Sequence, residues 1–166
     1  MNKFTKAGIA GLFLSLTAVM ASCGGSSTST TDTAAVTADV YPVTVGDLTL
    51  DAQPTSIISL SPSATEMLYA IGAGSQVVAV DEYSNFPAEA VALGTKLSGF
   101  EPNIEAISGY SPDLVIVSYD PGSLVEQLKT LNIPVFIAGA AMSLENVYEQ
   151  IEQLGVLTGH SQAAIE

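Results

Sequence analysis

Residues 56–83 read SIISLSPSATEMLYAIGAGSQVVAVDEY. Ile57-Ile58-Ser59-Leu60 and Val77-Val78-Ala79-Val80 are short, uncharged and mostly β-branched runs. That is the pattern of strands buried on both faces, as in parallel sheets. Between them Ser63-Ala64-Thr65-Glu66 has the spacing of a capping box, and Ala64, Met67, Leu68 and Ile71 recur at helical intervals along one face. Gly72 stands where a helix C-terminal glycine belongs. A strand, a helix and a second strand within roughly thirty residues predict a βαβ unit with parallel strands.

The same grammar repeats outward. Leu114 to Val117 and Val135 to Ala138 are further uncharged runs, with Leu124, Val125, Leu128 and Leu131 forming a helical face between them. After the fourth run, Ser143 can cap a helix whose expected buried face is Leu144, Val147, Tyr148, Ile151 and Leu154, stopped at Gly159. Upstream, Val43 to Val45, Gly46-Asp47 and Leu48 to Leu50 read as a short hairpin, closed by Asp51 to Pro54. The fold class expected is therefore α/β, one Rossmann-like lobe with a central, mainly parallel, doubly wound sheet preceded by a hairpin. It spans residues 41–160. Residues 161–166 (SQAAIE) read as the start of another helix.

The N-terminus has a different character. Residues 1–22 carry Lys3 and Lys6, then an apolar stretch and a small-residue end at Ala21-Ser22, which is the layout of a signal peptide. The apolar stretch, residues 7–21, would span only ~22 Å as a helix, short of a ~30 Å hydrocarbon core. Met20-Ala21-Ser22-Cys23 resembles the lipobox of bacterial lipoproteins, with Met20 in place of the usual Leu, Val or Ile. By that resemblance Cys23 is lipidated and becomes the first mature residue, and residues 23–40, rich in Gly, Ser and Thr, are the tether. The protein is then exported and lipid-anchored to the cell membrane, facing the periplasm or the cell exterior.

Seventeen acids oppose four lysines and no arginine, a formal net charge of −13 at pH 7. Beyond the leader only Lys96 and Lys129 are cationic. Such a surface repels phosphate backbones, so no nucleic-acid partner is expected. One cysteine rules out a disulfide framework, and one histidine, His160, leaves no material for a zincin or three-histidine metal cage. No metal site and no cofactor are expected.

Several strand ends carry notable loops. Gly72-Ala73-Gly74 follows a helix rather than opening one, and Val77 stands where a third glycine would be, so a dinucleotide fingerprint is not formed. Ser61-Pro62-Ser63, where the first strand meets the first helix, reads either as a binding loop or as a plain helix cap. Asp81 to Pro87, with Tyr83, follows the second strand. Ser118, Tyr119 and Asp120 follow the third, and Phe100-Glu101 lies in a further connection. Grouped aromatics on strand-end loops suit a surface for a large planar or apolar ligand; half-buried packing is the alternative for each alone.

Residues 56–83, 101–116 (EPNIEAISGYSPDLVI) and 131–135 (LNIPV) resemble the N-terminal lobe of ABC-importer substrate-binding proteins for cobalamin and ferric siderophores. The resemblance covers residues 41–166. It implies two lobes joined by one long helix, with the ligand in the cleft between them; the second lobe and most of that helix are absent from this sequence. It further implies that Tyr83 and Phe100 line the cleft with Ser61, Pro62, Ser118, Tyr119 and Asp120 as neighbours, and Glu101 joins these candidates from its loop. In the Asn-x-Glu segment it implies that Glu105 docks an arginine of the membrane permease. The expected function is capture of a corrinoid or ferric siderophore by a monomer that performs no catalysis and delivers its ligand to an ABC permease. Lack of arginine favours a corrinoid or a neutral or cationic hydroxamate siderophore over haem or anionic ferric catecholates. A small α/β enzyme such as a hydrolase, or a lone adhesion lobe, is the alternative.

Overall fold

The computed structural model describes residues 39–166; the expected signal peptide, the expected lipidation site Cys23 and the expected tether up to residue 38 lie outside the described residues. Strands β1 (Val43–Val45) and β2 (Leu48–Leu50) form the antiparallel hairpin, with Gly46 at φ +56° in its turn. A separate sheet contains β3 (Ile57–Leu60), β4 (Val77–Val80), β5 (Leu114–Val117) and β6 (Val135–Ile137) in the order β4-β3-β5-β6, all pairs parallel. Helix α1 (Pro62–Ala70) joins β3 to β4, and α4 (Leu124–Thr130) joins β5 to β6. The long β4–β5 crossover holds two five-residue helices, α2 (Ala88–Ala92) and α3 (Ile104–Ser108). Helices α5 (Leu144–Thr158) and α6 (Ser161–Ala164) complete the order.

Both faces of this sheet are dry. Because side chains alternate along a strand, Ile57, Leu114 and Ile116 point to one face and meet Leu68 of α1 with Leu154 and Leu157 of α5. Ile58, Val115 and Val117 point to the other and meet Ile107 of α3 with Leu124 and Leu128 of α4. Burial on both sides is the physical reason the strand sequences lack charge. The outer edge of β4 is covered in turn: Thr95 Oγ1 accepts from Val80 N (2.8 Å) and donates to Val80 O (3.1 Å), and Glu82 N donates to Leu97 O (2.9 Å). These contacts satisfy backbone groups that an open edge would expose.

Three local expectations are corrected. The α1 cap is Ser61, not Ser63: Pro62 at the first helical position holds its predecessor extended (φ −143°, ψ 112°), and Ser61 Oγ accepts from Ala64 N at 3.4 Å. Leu144 and Tyr148, expected in the buried face of α5, are 68% and 61% exposed. A 15-residue helix is ~22 Å long and a four-residue strand ~13 Å, so the first turns of α5 overhang the sheet and its buried residues, Leu154, Gly155, Leu157 and Thr158, all fall in its last third. Leu131 is likewise exposed, since α4 ends before it at Thr130.

The edge of the sheet from which the strands start is tied by polar groups. Thr158 carbonyl, at the end of α5, accepts from Gln53 Nε2 (2.7 Å) and Gln76 Nε2 (3.0 Å), and His160 Nδ1 lies 3.0 Å from the same oxygen. Asp39 Oδ2 accepts from Ser161 N, so the residues just before the hairpin are fastened to the end of α5. Asp113 Oδ2 accepts from Thr55 N (2.8 Å), Thr55 Oγ1 (2.9 Å) and Ser56 N (3.0 Å), clamping the start of β5 to that of β3. The hydrogen bond from Thr55 N, aided by those from the Thr55 hydroxyl and Ser56 N against a smaller desolvation cost, lowers the Asp113 pKa.

A carboxyl with a native pKa below its unfolded value contributes fully above the ordinary aspartate range and loses that contribution as pH falls through the native value. Asp113→Asn is therefore expected to lower unfolding free energy near neutral pH, by less than about 1 kcal/mol because the carboxylate is solvent-exposed and screened, as read by urea denaturation. The gap to the wild type should begin to close near pH ~4 and vanish as pH falls through the lower native pKa. A gap that stays constant across that range would show that the charge contributes nothing.

Candidate functional site

Strand order reverses direction between β3 and β5: the chain moves from β3 outward to β4, then returns past β3 to β5 and β6. At such a switch point neighbouring crossovers leave on opposite faces, and a crevice opens outside the carboxyl ends of the strands. A cavity of about 470 Å³ lies there, lined by Leu60 and Pro62 after β3, Asp81 and Tyr83 after β4, Ser118 and Tyr119 after β5, and Gly99 and Phe100 from the long crossover.

Three aromatic rings form its rim. Tyr83 meets Phe100 edge-on, with centroids 5.6 Å apart and planes at 83°, and Phe100 meets Tyr119 at 6.4 Å and 47°. Their exposures are 54%, 61% and 44%, so much of each ring faces water. Edge-to-face contact orients the rings against one another, and the free faces offer a stacking surface.

The loops beneath the rings are held by buried polar groups. Asp81, 3% exposed, accepts from Ser84 N (2.8 Å) and Tyr83 N (3.2 Å) through Oδ1, and its own N–H donates to Ser59 O (3.0 Å). Thr65 Oγ1 of α1 lies 2.8 Å from Ser59 Oγ, 3.0 Å from Ser61 O and 2.9 Å from Ser84 Oγ. This cluster pins the Tyr83 loop to the end of β3 and the start of α1, and each member has a partner, as buried polar groups require. On the other side Ser98 Oγ accepts from Phe100 N (3.3 Å) and Glu101 N (3.0 Å), fixing the turn that presents Phe100.

Pro62, Tyr83, Phe100, Ser118 and Tyr119 are thus brought together, with Leu60, Asp81 and Gly99 beside them. Three expected contacts are absent from the lining. Ser61 is fully buried and its hydroxyl caps α1, the plainer of its two readings. Asp120 Oδ1 accepts from Val125 N (3.0 Å) at the start of α4. Glu101 lines a neighbouring groove with Pro102, Ile104 and Leu124, next to Phe100. Glu105 is exposed in the first turn of α3, which Asn103 caps through Oδ1 to Ala106 N (2.9 Å). Asp81 was legible as a strand-end acid whose carboxylate can turn back on the next amides; Gly99 had only a Ser-Gly dipeptide to mark it.

No lysine, arginine or histidine lines the cavity, and Asp81 is its one carboxylate. His160 lies at the opposite edge of the sheet, where its ring packs on the Gly72 turn. The lining therefore suits a large ligand that offers apolar or planar surface and carries no negative charge toward this lobe.

Residues 57–166 match the family of periplasmic binding proteins. An uncharacterized ABC transporter substrate-binding lipoprotein of Bacillus subtilis, YvrC, is 32% identical over 168 residues, covering 96% of this chain and 53% of that protein. The vitamin B12-binding protein of Pectobacterium carotovorum is 36% identical over 115 residues, covering 68% of this chain and 41% of its own length. Among solved structures, the periplasmic vitamin B12 binding protein of Vibrio cholerae superposes with a TM-score of 0.60 at 31% identity, over 68% of this chain and 44% of that one. The chain spans about half the length, or less, of these relatives.

Gly99 is the tightest point of the lining. A Cβ there would lie 2.9 Å from Leu60 O and 3.0 Å from Asp81 Oδ2, and the first of these is backbone that cannot swing aside. Gly99→Ala should destabilise the lobe by about 1–3 kcal/mol in thermal or urea unfolding. An unchanged midpoint would show that the crossover moves freely over the strand ends.

Proposed function

This chain belongs to the periplasmic binding protein family, and on that premise we propose that it is an extracytoplasmic substrate-binding lipoprotein of an ABC importer. Its ligand in this reading is a corrinoid or a ferric siderophore, delivered to the membrane permease without chemical change. The observation that carries the proposal is the rim of Tyr83, Phe100 and Tyr119 over the switch-point cavity. Vitamin B12-binding relatives support the corrinoid assignment. Absence of any cation from the lining favours corrinoids and neutral or cationic hydroxamate siderophores over ligands bearing free carboxylates. Glu105, solvent-exposed beside the groove that flanks Phe100, is the proposed contact for a basic residue of the permease.

Calorimetric titration at protein and ligand concentrations high enough to register weak binding, with cobalamin, an iron-loaded hydroxamate siderophore and haem, tests the ligand. Binding of one of the first two is expected, weakened roughly tenfold by Phe100→Ala or Tyr83→Ala. Glu105→Ala should leave that affinity unchanged and lower permease-stimulated ATP hydrolysis. Binding to none of the three, or affinity indifferent to both aromatic substitutions, would overturn the reading.

The proposed lipid anchor rests on the leader pattern and Cys23. Acyl chains contribute ~0.8 kcal/mol per buried methylene, and more than one chain is needed for stable attachment. Cys23→Ala should move the protein from the membrane fraction to the soluble fraction; retention in the membrane would show that the cysteine is not the anchor.

A further inference from the structure

Away from the strand ends, Glu66, Tyr69 and Ala70 of α1 meet Phe86, Pro87 and Glu89 around a second groove of about 340 Å³, which shares no residue with the aromatic cavity. One face of α1, with Glu66, Tyr69 and Ala70 at helical spacing, faces Phe86, Pro87 and Glu89 from the β4–β5 crossover, so two aromatic rings and two carboxylates line the groove. The groove has no lysine, arginine or histidine in its lining. Phe86 is 61% exposed, so its ring is open to a partner. Tyr69 is fixed in place, because its ring occupies the space a side chain at Gly74 would need: a Cβ there would stand 2.5 Å from Tyr69 Cδ1. Burial, and after it the charge of Glu89, raise the Tyr69 pKa, so the phenol and that carboxylate feel one another.

Rings flanked by carboxylates are the complement of a cation with an apolar body. Of the biological cations, guanidinium fits best. It is planar and weakly hydrated, stacks on aromatic faces, and forks two N–H groups toward carboxylates, whereas an ammonium ion is compact and holds its water. Ala70 and Pro87 supply walls for the methylene stem behind such a head. The groove is shallow and built largely of exposed residues, Glu66, Ala70, Phe86 and Glu89. A free small cation would stay mostly in water and gain little there, while a side chain presented by a protein surface draws affinity from the contacts around it. A net charge of −13 steers basic surfaces toward this chain.

We propose that the groove of Glu66, Tyr69, Phe86 and Glu89 is a docking pocket for an arginine side chain of a partner protein with a basic surface. This site is independent of the ligand cavity and of the transport reading.

Aromatic-ring NMR of the protein, titrated to high concentration with the blocked tripeptide acetyl-Gly-Arg-Gly-amide so that the weak intrinsic affinity of the head and its stem is read, tests it. The arginine peptide should shift the Tyr69 and Phe86 resonances saturably and leave Tyr83 and Tyr119 unmoved. The same peptide with citrulline, neutral and nearly isosteric, should have no such effect. Replacing both acids, Glu66→Gln with Glu89→Gln, should weaken binding about tenfold or more while the exposed positions leave the melting temperature unchanged. An equal response to the citrulline peptide, persistence of the shifts in the double variant, or guanidinium chloride binding as tightly as the peptide would each overturn the proposal.

Discussion

A parallel sheet covered on both faces can itself meet solvent only at its rim, since every strand must be reached by a crossover that lies over a face. Here α1 and α5 close one side with the hairpin, and α3 and α4 close the other. Loops at the strand ends form that rim, and the reversal of strand order between β3 and β5 decides where along it a crevice opens. Residues as distant in sequence as Leu60, Phe100 and Tyr119 line one cavity for that reason alone.

The two ends of the sheet use polar groups differently. At the end where strands start, Asp113, Gln53 and Gln76 bind backbone groups, and the lone histidine is packed beside them. At the other end Asp81, Thr65, Ser59 and Ser84 consume their hydrogen bonds beneath the surface, while aromatic rings stay above it. A ring of this kind carries roughly 200 Å² of surface, and covering its exposed half gives about 2–3 kcal/mol. Three rings together therefore offer a gross gain that only just meets the cost of association, about 4–15 kcal/mol. One face of this size binds weakly by itself. Tight capture calls for a second surface closing over the first.

How much of this was legible in the sequence follows from the range of the forces involved. The four parallel strands and the stops at Gly72 and Gly159 rest on local periodicity and backbone freedom, and they fall within a residue or so of their expected places. Tyr83, Phe100 and Tyr119 were readable as aromatics on strand-end loops. The α1 cap was misassigned because a Ser-x-x-Glu spacing outweighed the stronger constraint of Pro62 on its predecessor. Leu144 and Tyr148 have the right period but lie where α5 outruns the sheet, a matter of tertiary length that periodicity does not report. The close approach of Gly99 depends on a crossover folding back across β3 and β4, and no local pattern carries that.

Charge binds these features together. The described residues include two lysines and no arginine, so the aromatic rim has no cation beside it, and the groove of Tyr69 and Phe86 is flanked by acids alone. The most direct measurement of the central claim is a crystal structure of the protein with bound cobalamin. The account predicts the corrin against Phe100, flanked by Tyr83 and Tyr119, above Asp81 and Gly99. A corrinoid lodged elsewhere, for instance in the groove between the hairpin turn and β6, with the three rings still bare to solvent, would contradict it.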